Sequence, residues 1–370
     1  MADLQFSRNT KVYMVQRNTA NDADLTWEIP VLDGYSFSQA TNATEITLNE
    51  MAKSDGTSRR ARQMFTDSYA PAEWSFSSYV RPNDGSAVEE ALWANFVAAN
   101  SYSGTAWDGA TGAVTKVSPT TTINFSKSNT TTLGTFDLYF VMGACGIAGA
   151  NYDSSTQDVT IYKLEGCVAN SASIDFDIDG IAMINWSGFG KIISEVATFN
   201  AGTAIATGVS STSNYIRNRL TSLAVTTAGT APFQASYDLV LTGGNITFEN
   251  NITFLTPETL CEVNQPLGHV TGTRSISGNF TCYLNGATNS SADLFEDIIG
   301  ATTTVTNSFG LTFSVGGSSA PKLVIDMPQC HLEVPTHSIE DVISLDTTFH
   351  ALPSTTDGTD EATITYTGEV

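Results

Sequence analysis

Val31-Leu-Asp-Gly-Tyr-Ser-Phe37, Glu45-Ile-Thr-Leu48, Trp74-Ser-Phe-Ser-Ser-Tyr79 and Glu89-Glu-Ala-Leu-Trp-Ala-Asn-Phe96 form an ordered series. The series returns as Val240-Leu-Thr-Gly-Gly-Asn-Ile-Thr-Phe248, Asn251-Ile-Thr-Phe254, Ser277-Gly-Asn-Phe-Thr-Cys-Tyr283 and Ala292-Asp-Leu-Phe-Glu-Asp-Ile298. Each copy reads as two alternating strands, a loop, a strand ending in an aromatic residue, and a short amphipathic helix. Tyr79 and Tyr283 are 204 positions apart, and Leu92 and Leu294 are 202 apart. Near-constant spacing marks an internal repeat, which constrains the whole fold.

Composition points the same way. Of 370 residues, 41% are hydrophobic, enough for a packed core, and only 15% are charged. Abundant Thr, Ser, Asn and Gly favour an all-β chain with turn-rich connections and short flanking helices. The repeat places a first domain at 1–200, a linker at 201–214 and a second domain at 215–370. Residues 101–135 are rich in Thr, Ser and Gly and have no counterpart in the second copy, so they read as an insertion.

Both helices should cover a core. Leu92, Trp93 and Phe96 fall on one face of the first, and Leu294, Phe295 and Ile298 on one face of the second. Ser86, with Glu89 three residues on, reads as a capping box that starts the first helix.

The net charge is −22, which argues against tight phosphate binding. Asp175, Asp177 and Asp179 alternate with Ile174, Phe176 and Ile178, so the acids form one strand face. The same Asp-x-Asp-x-Asp-Gly opening resembles a calcium loop, but Trp186 stands where the bidentate Glu is required. His331 and His337 are six apart, not the four of a helical zinc pair. No nucleophile elbow, phosphate loop or dinucleotide fingerprint occurs, so neither catalysis nor a cofactor or metal is expected. Five cysteines without CxxC spacing suit reduced buried thiols. Residues 1–6 lack the basic and apolar regions of a signal peptide, and no apolar run approaches the ~18 residues of a membrane span.

Arg59, Arg60 and Arg62 put three of the chain's 16 basic residues within four positions, in a long polar stretch between strands. On a −22 chain, such a patch finds complementary surface on other copies of itself. In the second copy Glu262 to His269 replaces it, so the two loops differ in contact chemistry.

The strand order, the long loop after Glu50, Trp74 to Pro82, the helix at 89–96, and Ser173 to Gly180 with Asn185 to Gly190 resemble the major tail tube proteins of long-tailed, non-contractile bacteriophages. That resemblance implies tandem β-sandwich domains whose sheets join into a ring-shaped β-barrel on oligomerisation. Two domains per chain imply three copies per ring, a pseudo-hexamer, with rings stacked into a virion tail assembled in the host cytoplasm. It implies tail terminator, tape measure and tail tip proteins as partners, and passage of DNA without specific binding. The acids at 175, 177 and 179 become candidates to face the lumen, and the arginines candidates to dock on the next ring. A virion decoration or adhesin-type sandwich is the alternative.

Overall fold

In a computed structural model, the structure describes residues 4–16, 25–46, 55, 62–83, 86–87, 89–97, 106–107, 113–125, 133–147, 149–202, 214–227, 233–256, 260, 263–300 and 309–369. The chain begins with β1 (Lys11–Gln16), β2 (Leu25–Ile29) and β3 (Ser36–Ser38). A hairpin of β4 (Thr41–Glu45) and β5 (Met64–Tyr69) leads into β6 (Ala72–Tyr79). The small ribbon β7 (Pro82–Asn83) and β8 (Ser86–Ala87) precedes helix α1 (Glu90–Phe96). Then come β9 (Ala106–Trp107), β10 (Val114–Val117), β11 (Thr120–Asn124), β12 (Phe136–Met142) and β13 (Asn151–Asp153). The long β14 (Thr160–Phe176), β15 (Met183–Gly190), β16 (Ile192–Glu195) and β17 (Thr198–Asn200) follow.

The second half opens with β18 (Ser222–Thr227), β19 (Ser236–Asp238) and β20 (Leu241–Glu249). A hairpin of β21 (Thr253–Leu255) and β22 (Gly268–Val270) leads into β23 (Ser275–Tyr283) and helix α2 (Ser291–Gly300). The chain closes with β24 (Phe309–Val315), β25 (Lys322–Leu332), β26 (Thr336–Ser338), β27 (Ser344–Ala351) and β28 (Thr363–Thr367).

All named strand pairs are antiparallel, and the strand order is used twice. One layer runs β2-β1-β12-β14-β16 in the first half and β19-β18-β24-β25-β28 in the second. The other runs β3-β6-β15-β14 and then β20-β23-β27-β26. β14 belongs to both layers of its half, changing sheet at a bulge. There Phe136 faces Cys167, and two residues later Leu138 faces Leu164. β25 does the same with Phe309 facing Cys330 and Leu311 facing Met327. Gly166 takes a positive φ at the first bulge, and its amide donates to the Asp137 carboxylate at 2.9 Å. Pro328 sits inside the second, where a missing N–H costs no ladder bond.

Matched positions carry compensating side chains. Trp74 faces Gly188 across β6 and β15, whereas Gly278 faces Phe349 across β23 and β27. A Cβ at Gly188 would strike the Trp74 ring, and one at Gly278 would strike Phe349. The aromatic changes strand and most of the volume is kept, so at this place the two copies match in pattern without matching in identity.

The two four-stranded halves are one sheet, because β14 pairs directly with β20, Ser171 opposite Glu249 through Phe176 opposite Gly244. Beneath this junction lies α1, all seven of its residues buried. Trp93 meets Trp186 of β15 at 4.8 Å and Phe248 of β20 at 5.2 Å, and its indole N–H donates to the Tyr366 hydroxyl of β28 at 2.7 Å. The segment 101–135 contributes β9, β10 and β11, which extend the second half's outer layer through β11 and β28. It therefore straps the halves together.

Two local expectations change. Ser86 lies in β8 rather than capping α1, which starts at Glu90 without a side-chain cap. The alternation through Asp179 ends early, since β14 stops at Phe176 and Ile178 is exposed. The linker at 201–214 lies mostly outside the described residues.

Glu89, just before α1, is wholly buried, and burial pushes its carboxyl up to about 8, with Arg81 and Ser78 only partly opposing the shift. A folded-state value above the ordinary 4.5 means that the folded chain holds this proton more tightly than the unfolded one. Its contribution is full below about 4.5 and is lost as pH rises to about 8. Glu89→Gln should therefore flatten that part of the stability profile and stabilise the chain at pH 8 by on the order of 1–3 kcal/mol. Denaturant titrations of both proteins from pH 5 to 9 check this, and parallel profiles would contradict it.

Candidate assembly surface

Along the eight strands β3-β6-β15-β14-β20-β23-β27-β26, every second residue turns away from the core. Buried Trp74, Phe76, Ile174, Trp186, Ile246, Phe248 and Phe280 form one side. The other side is open and carries mainly Ser, Thr and Asn. Residues 168–176 of β14 and the other seven strands contain no Lys or Arg, yet they place Glu73, Asp175, Glu249 and Asp346 on this face. The hydroxyls and amides bond among themselves. Ser77 donates to Asn185 at 2.7 Å, Asn185 to Asp175 at 3.2 Å, and Asn279 to Asp346 at 3.1 Å. The result is a wide acidic surface whose polar groups are largely engaged with one another. With no Lys or Arg on these strands, it offers phosphate no permanent cation.

The sheet ends in two free edges. Among the described residues, β3 pairs with β6 alone and β26 with β27 alone. Such edges are templates for pairing with another chain.

Both hairpins leave the sheet at one end, because β3 and β20 run in the same direction. They touch there. The Tyr69 amide donates to the Asn264 carbonyl at 2.9 Å, and the Asn264 amide to Asp67 at 3.1 Å. A cleft of about 520 Å³ lies between them, lined by Asp67, Tyr69, Pro71 and Leu260 among others. Met64, Phe65, Leu255 and Leu267 are exposed on the hairpins.

Of the sequence-derived candidates, Asp175 stands on the open face. Asp177 and Asp179 lie past the end of β14, where Asp177 accepts from the Ile178 amide and Asp179 lies 3.9 Å from Arg219. Arg62 reaches across the first hairpin to Glu45, its Nε donating at 2.6 Å. Arg59 and Arg60 lie outside the described residues. Leu92, Trp93, Phe96, Leu294 and Ile298 are buried, whereas Phe295 is half-buried, its ring roughly perpendicular to that of His337 with centroids 4.8 Å apart. Cys167, Cys282 and Cys330 are buried free thiols and Cys145 is exposed. Burial pushes Cys282 up to about 11 and Cys330 up to about 12, which suits inert core thiols. Among the described residues no cluster of three His, Cys, Asp or Glu side chains could hold a metal ion, and no helix is long and apolar enough to cross a membrane.

Sequence reasoning did not find the free edges. Val334, Ile339 and Val342, exposed apolar residues around the short Thr336–Ser338 strand, mark one of them.

No family model matches the chain. Tail tube protein pb6 of Escherichia phage T5 is 30% identical over 377 residues, spanning 99% of this chain and 76% of that protein. Identity of that extent shows common descent across both halves of the sheet, and the chain belongs to the tail tube proteins of long-tailed bacteriophages, structural components of the virion tail.

Proposed function

We propose that three copies close into a ring, each supplying two tandem tube domains, 1–200 and 215–370. Joined edge to edge, their eight-stranded sheets form the wall of a barrel, and stacked rings form a tube that conducts DNA. The observation that carries this reading is the single sheet in which two four-stranded halves of identical strand order are already joined. A heterologous contact repeated by rotation closes a ring and removes the edges that would otherwise aggregate.

The face without Lys or Arg lines the lumen in this reading, so Asp175 belongs to the wall and Asp177 and Asp179 to its rim. Phosphates are repelled and keep their counterions, which leaves DNA free to slide. Tail terminator, tape measure and tip proteins are the partners that the ends and interior of such a tube would meet. Electron microscopy of the purified protein tests the reading. Rings or tubes support it; monomeric globules at every concentration and salt would reject it.

The first hairpin, whose connecting sequence carries Arg59, Arg60 and Arg62, is the docking element toward the next ring. Changing all three to Glu should leave single-chain stability within about 1 kcal/mol, since the ion pair lost among the described residues, Arg62 with Glu45, is solvent-exposed and such pairs contribute little. Tube elongation should stop. Tubes of normal length from this variant would remove the docking role.

A further inference from the structure

The β14–β20 junction is an internal copy of a contact that the free edges lack. The registers of the two halves fix which residues correspond. Relative to β15, Ser173 faces Asn185; relative to β27, Thr336 faces Asp346. Cys167 and Cys330 hold the same place at their bulges, so 163 positions separate matched residues of β14 and the 330–339 segment. On the other side, Ser36 faces Ser75 of β6 as Asn245 faces Asn279 of β23. β26 is therefore the free counterpart of residues 173–175 of β14, and β3 the free counterpart of β20.

Side chains at the free edge behave as if awaiting a partner. Phe176, at the filled junction, is 4% exposed and stacks on Phe313 at 5.2 Å. Its counterpart Ile339 is 78% exposed. Trp93 of α1 is buried against β20, while Phe295, at the matching place in α2, is only half covered and Ile299 is exposed.

We propose that copies join by repeating the internal register, with Thr336 of one copy opposite Ser38 of the next, His337 opposite Phe37, and Ser338 opposite Ser36. The pairing Ser173–Thr247, Ile174–Ile246, Asp175–Asn245 is its template. Ile339 then lies beside Tyr35, as Phe176 lies beside Gly244. This seam rests on the ring reading above and adds the residues that close it.

Cysteine pairs test it in a Cys145→Ser, Cys261→Ser background, which removes the exposed thiol of the described residues and the one cysteine that lies outside them. Directly opposed residues in antiparallel strands have Cα atoms about 4.5–5.5 Å apart, within disulfide reach. Diagonal neighbours are about 7–8 Å apart, beyond it. On mild oxidation of assembled protein, Thr336→Cys with Ser38→Cys should give covalent trimers that reductant dissolves. The diagonal pair, Thr336→Cys with Ser36→Cys, should give at least tenfold less. Ser338→Cys with Ser36→Cys is a second in-register pair should the first fail to fold. Rings or tubes that form under the microscope without in-register cross-links, or with equal diagonal ones, would overturn the register and leave the ring standing. Absence of any ring from the parent protein would overturn both.

Discussion

Trp93→Ala should cost the folded chain about 3–5 kcal/mol, the range for emptying a large aromatic site in a core. The Trp93 ring touches β15 from the first half and β20 from the second, and its N–H is bonded to Tyr366 in β28. Truncation leaves a cavity at the junction of the halves and strips the buried Tyr366 hydroxyl of a donor. Trp93→Phe keeps most of the volume and should cost about half as much. Denaturant midpoints at constant slope measure both. A loss below about 1 kcal/mol for the alanine variant would show that α1 does not hold the junction.

Ile339→Asp should separate stability from assembly. In the single chain this side chain is exposed, so the substitution should move its melting within the ±0.5 kcal/mol usual for surface sites. At the seam it should be severe. Burial of an isoleucine, about 1.5–3 kcal/mol, is lost, and an unpaired carboxylate must be desolvated as well. The concentration needed for assembly should rise at least about a hundredfold, corresponding to roughly 2.7 kcal/mol. Ile339→Phe copies the residue at the filled junction and should assemble at least as well as the parent. Sedimentation against concentration reads both variants, and normal assembly of the aspartate variant would place Ile339 outside the seam.

Much of the fold was legible in the sequence because local patterns report which side of an element is wet. Period-two alternation found the strands around Phe37, Trp74, Ile174 and Phe280, and helical spacing found Leu92, Trp93, Leu294 and Ile298. What such patterns do not carry is which strand neighbours which. Ser171 to Phe176 look the same whether the sheet ends there or continues into β20, and the insertion's β11 gives no local sign that it joins β28. Ends were misjudged for a related reason. Ser86 has a capping residue's chemistry, but its backbone is taken by the ribbon with Asn83. Asp177 and Asp179 continue an alternation that Gly180, at positive φ, brings to a turn. The acidic open face was only partly legible. Asp175 was visible as one of an acidic run, whereas Glu73, Glu249 and Asp346 share its face only through pairing across distant strands.

The central claim is that a chain with two joined four-stranded halves closes as a ring of three. Counting chains per ring tests it most directly, by native mass spectrometry of isolated rings or by averaged cryo-electron microscopy of tubes. The account predicts three chains, each lending eight strands to one continuous inner wall. Six chains per ring, with one half of each outside the wall, would contradict it.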